Sequence, residues 1–155
     1  MLAGARERGW PIIHVRVAYR ADYADLIQNA PILRNVAAIG AVQDGSWGAE
    51  FFSTLAPRPS PREFTVTHTR INAFYGTPLE TLLRQLQAQR LLVAGVATHS
   101  VVESTVRHAV DCGFEVMVAQ DACAAANPAT HQASLQSMGL IAEVAEVNQA
   151  LEQLS

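Results

Sequence analysis

Leu91-Leu92-Val93-Ala94-Gly95-Val96 is an unbroken apolar run, and Ala97-Thr98-His99-Ser100 carries the chain from it into a helical pattern lasting to about Cys112. A strand without polar alternation is one covered on both faces, as in the middle of a parallel sheet. Gly113 stops the helix, and a second apolar strand follows over 114–119. Strand, helix and strand in this order form a parallel crossover unit.

The same grammar extends both ways. Upstream, Gly9-Trp10-Pro11 breaks the chain before a strand over 12–17, Pro31 opens a short helix to Ala38, and another strand spans 64–68. Thr77-Pro78-Leu79-Glu80 reads as an N-cap, a first-turn proline and an N3 glutamate, starting a helix that ends near Arg90. Downstream come a helix over 128–138, a short strand over 142–145 and a C-terminal helix. The expected fold class is α/β, with three α/β/α layers around a mostly parallel sheet. Residues 18–29, 44–48 and 57–61 read as long loops, which in compact domains usually form functional rims.

The totals narrow the function. A chain of 155 residues, half of them hydrophobic, fits one domain able to bury a core without a metal or disulfide staple. The net charge of −3 comes with no Lys/Arg-rich run, which argues against a nucleic-acid or anionic-membrane partner. Cys112 and Cys123 form no CxxC pair and sit at no metal-ligand spacing, so they read as reduced, mostly buried thiols of a cytoplasmic protein. The sequence calls for no metal and no other cofactor.

Ligands of open parallel sheets bind outside the carboxyl ends of the strands. Three segments fall there: 68–76, 97–102 and 121–127. The second leads into a helix N-terminus, where free N–H groups favour developing negative charge. Trp47, Phe74 and Tyr75 stand where aromatic rings could line a pocket for a small cyclic ligand, or pack on the core instead.

The motif Gly95-Val96-Ala97-Thr98-His99-Ser100-Val101-Val102-Glu103-Ser104-Thr105, with Ala109, Gly113-Phe114 and Asp121-Ala122-Cys123-Ala124, resembles the signature of the isochorismatase-like cysteine hydrolases. Gly45-Ser46-Trp47-Gly48-Ala49-Glu50 and Ala73-Phe74-Tyr75-Gly76-Thr77 are similar to that family's upstream motifs, and the likeness runs over nearly the whole chain. The resemblance implies a Rossmann-like sheet and a catalytic Asp, Lys and Cys. In this sequence the cysteine position falls on Val101 and the lysine position on His68. The aspartate belongs to a first strand that would precede Met1, so the single domain over 1–155 reads as N-terminally truncated relative to the family. Loss of a central strand leaves three outcomes: another chain fills the gap, the remaining strands close up, or the natural chain starts upstream of Met1. The opening Leu2-Ala3-Gly4, which reads as if in mid-helix, points to the last. True isochorismatases also lack the cysteine and have a histidine at the position of His99, but they carry a smaller residue than Val101.

The resemblance therefore implies a hydrolase-like protein with a degenerate triad. It would bind or hydrolyse a small amide or cyclic carboxylate without a cysteine nucleophile. The alternative is a non-catalytic oligomeric or binding protein of the same fold, since relatives commonly form dimers or larger assemblies. His68 reads as a weak general base or hydrogen-bond donor at the pocket mouth, or as a polar loop-edge residue. His99 reads as a ligand contact or a helix-start cap. Ser100 is an N-cap or, given a base, a nucleophile. Ala97, Thr98 and Val101 complete the expected pocket. His68 and His99 could share a metal only with a third ligand, and none is evident. His14 and His108 receive no role, and His131 is placed on a solvated helix face.

Overall fold

The computed structural model describes residues 1–154. It contains five strands, β1 (Ile12–Val17), β2 (Glu63–His68), β3 (Arg90–Val96), β4 (Glu115–Ala124) and β5 (Glu143–Ala145). Six α-helices accompany them: α1 (Leu2–Glu7), α2 (Pro31–Ala38), α3 (Leu79–Gln85), α4 (Glu103–Asp111), α5 (Pro128–Met138) and α6 (Val147–Gln153). Every strand pairing is parallel. None of the helices is long and apolar enough to cross a membrane.

The mixed α/β class is as expected, but the strands form two sheets. β1 pairs with β2, from Ile12 opposite Glu63 to Val17 opposite His68. β3, β4 and β5 form a separate ladder in that order. β3 is thus an edge strand, not the fully covered strand its apolar sequence suggests. Leu91 to Gly95 are only half-buried and Val96 is 72% exposed, because one side of β3 has no neighbouring strand. The two sheets have not closed up into one. They are joined from one face by α1, which packs on β1, and α6, which packs on β4. Gly4 makes that crossing possible: a Cβ there would lie 2.5 Å from Leu151 Cδ1.

The main core lies on the other face. Val66 of β2, Phe74, Leu79 and Leu83, Val106 and Ala109 of α4, Phe114, Val118 and Met138 form one apolar cluster. Val106, Ala109, Val118 and Met138 are fully buried, each larger side chain contributing about 1.5–3 kcal/mol by leaving water. A smaller cluster of Tyr19, Leu26 and Leu33 anchors the long segment after β1.

Several boundaries differ from expectation for local reasons. β4 runs past Ala119 because the ladder to β3 resumes after an irregularity, with Gly95 opposite Cys123 and Val96 opposite Ala124. α3 ends at Gln85, well before Arg90, where Gln87 takes a positive φ of 55° and turns the chain into β3. Pro78, not Thr77, is the N-cap of α3, which starts at Leu79; the Thr77 hydroxyl still accepts from Leu79 N at 3.2 Å, one residue ahead of the cap. α5 begins as read, with Asn127 accepting from Ala129 N and Thr130 N ahead of Pro128. α6 opens with a reciprocal capping box between Glu146 and Gln149.

Candidate functional site

The carboxyl ends of β2 and β3 meet the start of α4. β3 ends at Val96, the Val96–Ala97 peptide is cis, and residues Thr98–Val102 form one π-helical turn that feeds α4. The loop after β2 is tied to this junction: Asn72 Nδ2 donates to Ser104 O at 2.9 Å, and Ala73 N donates to Thr105 Oγ1 at 3.2 Å. These bonds hold the 68–76 loop against the first turn of α4, directly after the 97–102 segment, at the strand ends where parallel sheets bind ligands.

The individual side chains depart from the sequence reading. His68 is the last residue of β2 and is 5% exposed, so it is neither a pocket-mouth nor a loop-edge residue. Its Nδ1 lies 2.5 Å from Arg70 O. A carbonyl only accepts, so Nδ1 carries the proton and Nε2 keeps the lone pair. Burial pushes the His68 pKa below its ordinary value, outweighing the Arg70 carbonyl that raises it, and the ring is neutral near pH 7. His99 is exposed and caps nothing. Ser100 is not an N-cap: Ala97 holds that position, and Ser100 N donates to Ala97 O within the turn.

Val101 packs against the main core, in the position where the resemblance expects a nucleophile. Thr98 is fully buried, its Oγ1 2.8 Å from His131 Nδ1, which corrects the reading of His131 as a solvated residue. Ser134 Oγ, from α5, donates to Glu103 Oε2 at 2.6 Å and also approaches Thr98 O at 3.2 Å. Phe74 is core rather than pocket lining, stacked on His108 at 4.7 Å. Tyr75 is exposed beside the Arg70 guanidinium, and Trp47 is 92% exposed. Neither aromatic closes over the junction as a wall.

Two polar clusters went unread in the sequence. Burial works against ionisation of Glu103, but hydrogen bonds from Ser134, Arg107 and Ser137 outweigh it and hold its pKa below the usual carboxylate value. The Glu103–Arg107 spacing of one helical turn was legible, and Ser134 and Ser137 share one face of α5. The second cluster lies under β1. Arg6 forks onto Glu63 at 2.8 and 3.1 Å, and His14 Nε2 donates to Glu63 Oε2 at 2.9 Å. Its three members are far apart in sequence, so no local pattern announces it.

No thiol at this edge is poised for attack. Cys123 is buried opposite Gly95, and burial raises its pKa, keeping it protonated. What the junction offers is one neutral imidazole, a buried threonine hydroxyl and the amides of a helical turn. This is the edge at which parallel α/β proteins bind their ligands, and Val101 stands in it with a side chain packed on the core.

The chain belongs to the isochorismatase family: the family profile "Isochorismatase domain" matches residues 1–149. It is similar to the isochorismatase family protein YecD of Escherichia coli O157:H7, at 31% identity over 155 residues, covering 99% of this chain and 79% of that protein. A relative from Arabidopsis thaliana bearing the name "Probable inactive nicotinamidase" is 34% identical over 101 residues, 64% of this chain and 51% of its own length. Among solved structures, an isochorismatase family protein from Desulfovibrio vulgaris superposes with a TM-score of 0.87 at 29% identity, covering 99% of this chain and 80% of that one. This chain therefore spans about four-fifths of YecD and about half of the plant relative.

Proposed function

We propose that this protein is a non-covalent member of the isochorismatase family, recognising a small amide or cyclic carboxylate at the carboxyl ends of β2 and β3 and forming no acyl-enzyme. The observation that carries the reading is Val101, whose side chain joins the apolar core where a nucleophile would stand, with His68 in the lysine position. A serine substitute is not part of this reading: Ser100 lies within the turn, its N–H donating to Ala97 O. His68 Nε2 and the amides at the start of the turn, ahead of Ser100 N and Val102 N, which donate to Ala97 O, are the groups proposed to orient a bound carbonyl or carboxylate. The name of the plant relative is compatible with activity lost inside the family.

The test uses nicotinamide as the amide probe, with ammonia release and intact-protein mass as readouts. Neither ammonia nor an added acyl mass is expected, and iodoacetamide should have no effect that maps to Cys112 or Cys123. Val101→Cys is expected to remain without amidase activity, because a nucleophile alone lacks the groups that activate it. A mass adduct on the wild-type chain, or thiol-reagent inhibition traced to either native cysteine, sinks the proposal.

A second reading has its own observation. Ile27, Ile32, Ile39, Trp47, Phe52 and Leu55 are all more than half exposed within one stretch of the chain. Large exposed apolar side chains so frequent along one segment suit an interface, and we assign it to a second copy of this chain. Light scattering at micromolar concentration should give at least twice the chain mass of 16.7 kDa. Trp47→Ser with Phe52→Ser should shift that mass towards the monomer. A wild-type monomer would end this reading without touching the first.

A further inference from the structure

Remote from the strand ends, Glu80, His108 and Cys112 form a cluster that the proposed site does not use. Each offers one ligand atom, a carboxylate oxygen, an imidazole nitrogen and a sulfur, and these atoms all lie within 4.8 Å of one another. The geometry points to a binding site for a zinc-type divalent cation that clamps α3 to α4.

Three features of the sequence and packing build the cluster. His108 and Cys112 are one helical turn apart at the end of α4, so both face the same way. Glu80 lies in the first turn of α3, on the neighbouring helix. The imidazole is held by stacking on Phe74, with rings 4.7 Å apart and 15° from parallel. Glu80 is held by Arg84, whose Nη2 donates to Oε1 at 3.3 Å and also to Cys112 O at 2.5 Å. Such outer contacts fix the orientation of metal ligands, and the Glu80 carboxylate already reaches the Cys112 thiol by a side-chain hydrogen bond.

The donor set favours zinc over magnesium or calcium. One sulfur, one nitrogen and one oxygen suit a borderline-soft ion, whereas hard cations demand oxygen throughout. Bonds of about 2.0–2.3 Å in a tetrahedron place donors about 3.5 Å apart. The cluster must contract by about 1 Å, which rotamer adjustment of the half-exposed Glu80 side chain can supply. Burial and the neighbouring Glu80 carboxylate raise the Cys112 pKa, so the free thiol is protonated. On binding, that proton leaves to solvent and the sulfur lone pair bonds the metal. Thiolate and carboxylate together neutralise the dication, and water takes the fourth position. His108 stands about two turns of α4 beyond Val101, so the site is separate from the candidate ligand edge.

The full chain is titrated with cobalt(II) alone, a spectroscopic stand-in for zinc. One equivalent is expected to bind with a thiolate-to-cobalt charge-transfer band in the near ultraviolet. Cys112→Ser should abolish the band and Cys123→Ser should keep it. Glu80→Gln and His108→Gln should each weaken binding by about tenfold or more, and zinc should raise Tm in the wild type but not in Glu80→Gln. The Glu80 variant alters a half-exposed side chain, so its folded state serves as the control if Cys112→Ser unfolds. Absence of stoichiometric binding, or a band that survives Cys112→Ser, overturns the assignment.

Discussion

Phe74→Ala is expected to lower the free energy of unfolding by about 3–5 kcal/mol, measured by urea denaturation. The residue is 5% exposed, stacks on His108 at 4.7 Å and leans on Phe114 at 6.5 Å. Removing its ring opens a cavity between the loop after β2 and helix α4. That loop is anchored by Asn72 and by Thr77, whose Oγ1 donates to Ala73 O at 2.7 Å, so it has little freedom to collapse inward. Phe74→Leu, which keeps most of the volume, should lose less than half as much. A pocket-lining aromatic would behave differently, changing ligand affinity at small cost to stability. A loss under about 1 kcal/mol for Phe74→Ala would therefore return Phe74 to the pocket wall.

Glu63→Gln is expected to flatten the acid limb of the stability curve. Side-chain hydrogen bonding from Arg6, then the Arg58 amide and His14, hold the Glu63 pKa at about 2, against 4.5 for a free glutamate. A depressed carboxyl pKa contributes stability that is fully present above the unfolded value, near 4.5. It is lost as pH falls through that value towards the folded one, near 2. The variant should thus show a lower Tm at pH 7, and the wild-type and variant curves should converge towards pH 2. Glu103 and Asp22 are shifted in the same direction and contribute to acid loss in both proteins, so the difference between the curves isolates Glu63. Curves that run parallel across this range would show that the ion pair carries no pH-linked stability. The consequence extends to the architecture, because Arg6, His14 and Glu63 tie α1, β1 and β2 to one another.

The two experiments bear on parts of the molecule that the sequence disclosed unequally. Elements with a local cause were legible: α5 from Asn127-Pro128, β3 from its apolar run, α4 from the turn that precedes it. So was the family likeness, which is a pattern of residue types at fixed spacing and needs no coordinates. That Val101 and His68 fall where the family likeness expects a cysteine and a lysine is likewise a matter of spacing along the chain.

The roles of individual side chains were not legible, because each is set by neighbours distant along the chain. Phe74 and Trp47 are both aromatics in loops, yet one is core and the other is in solvent. His131 meets Thr98, and His14 meets Glu63, only when separate strands and helices come together. The strand count was readable, but the division of the sheet was not. An apolar run such as Leu91-Leu92-Val93 tells how much surface a strand must bury, not which strand lies beside it. Backbone pairing is a long-range choice, and here it leaves β3 at an edge with Val96 exposed. By itself the sequence determined the class of fold, the family likeness and the residues at Val101 and His68. The tertiary structure alone decided the split sheet, the burial of His68 and the meeting of Glu80, His108 and Cys112, because hydrogen bonding, desolvation and ligand geometry all depend on distance in space.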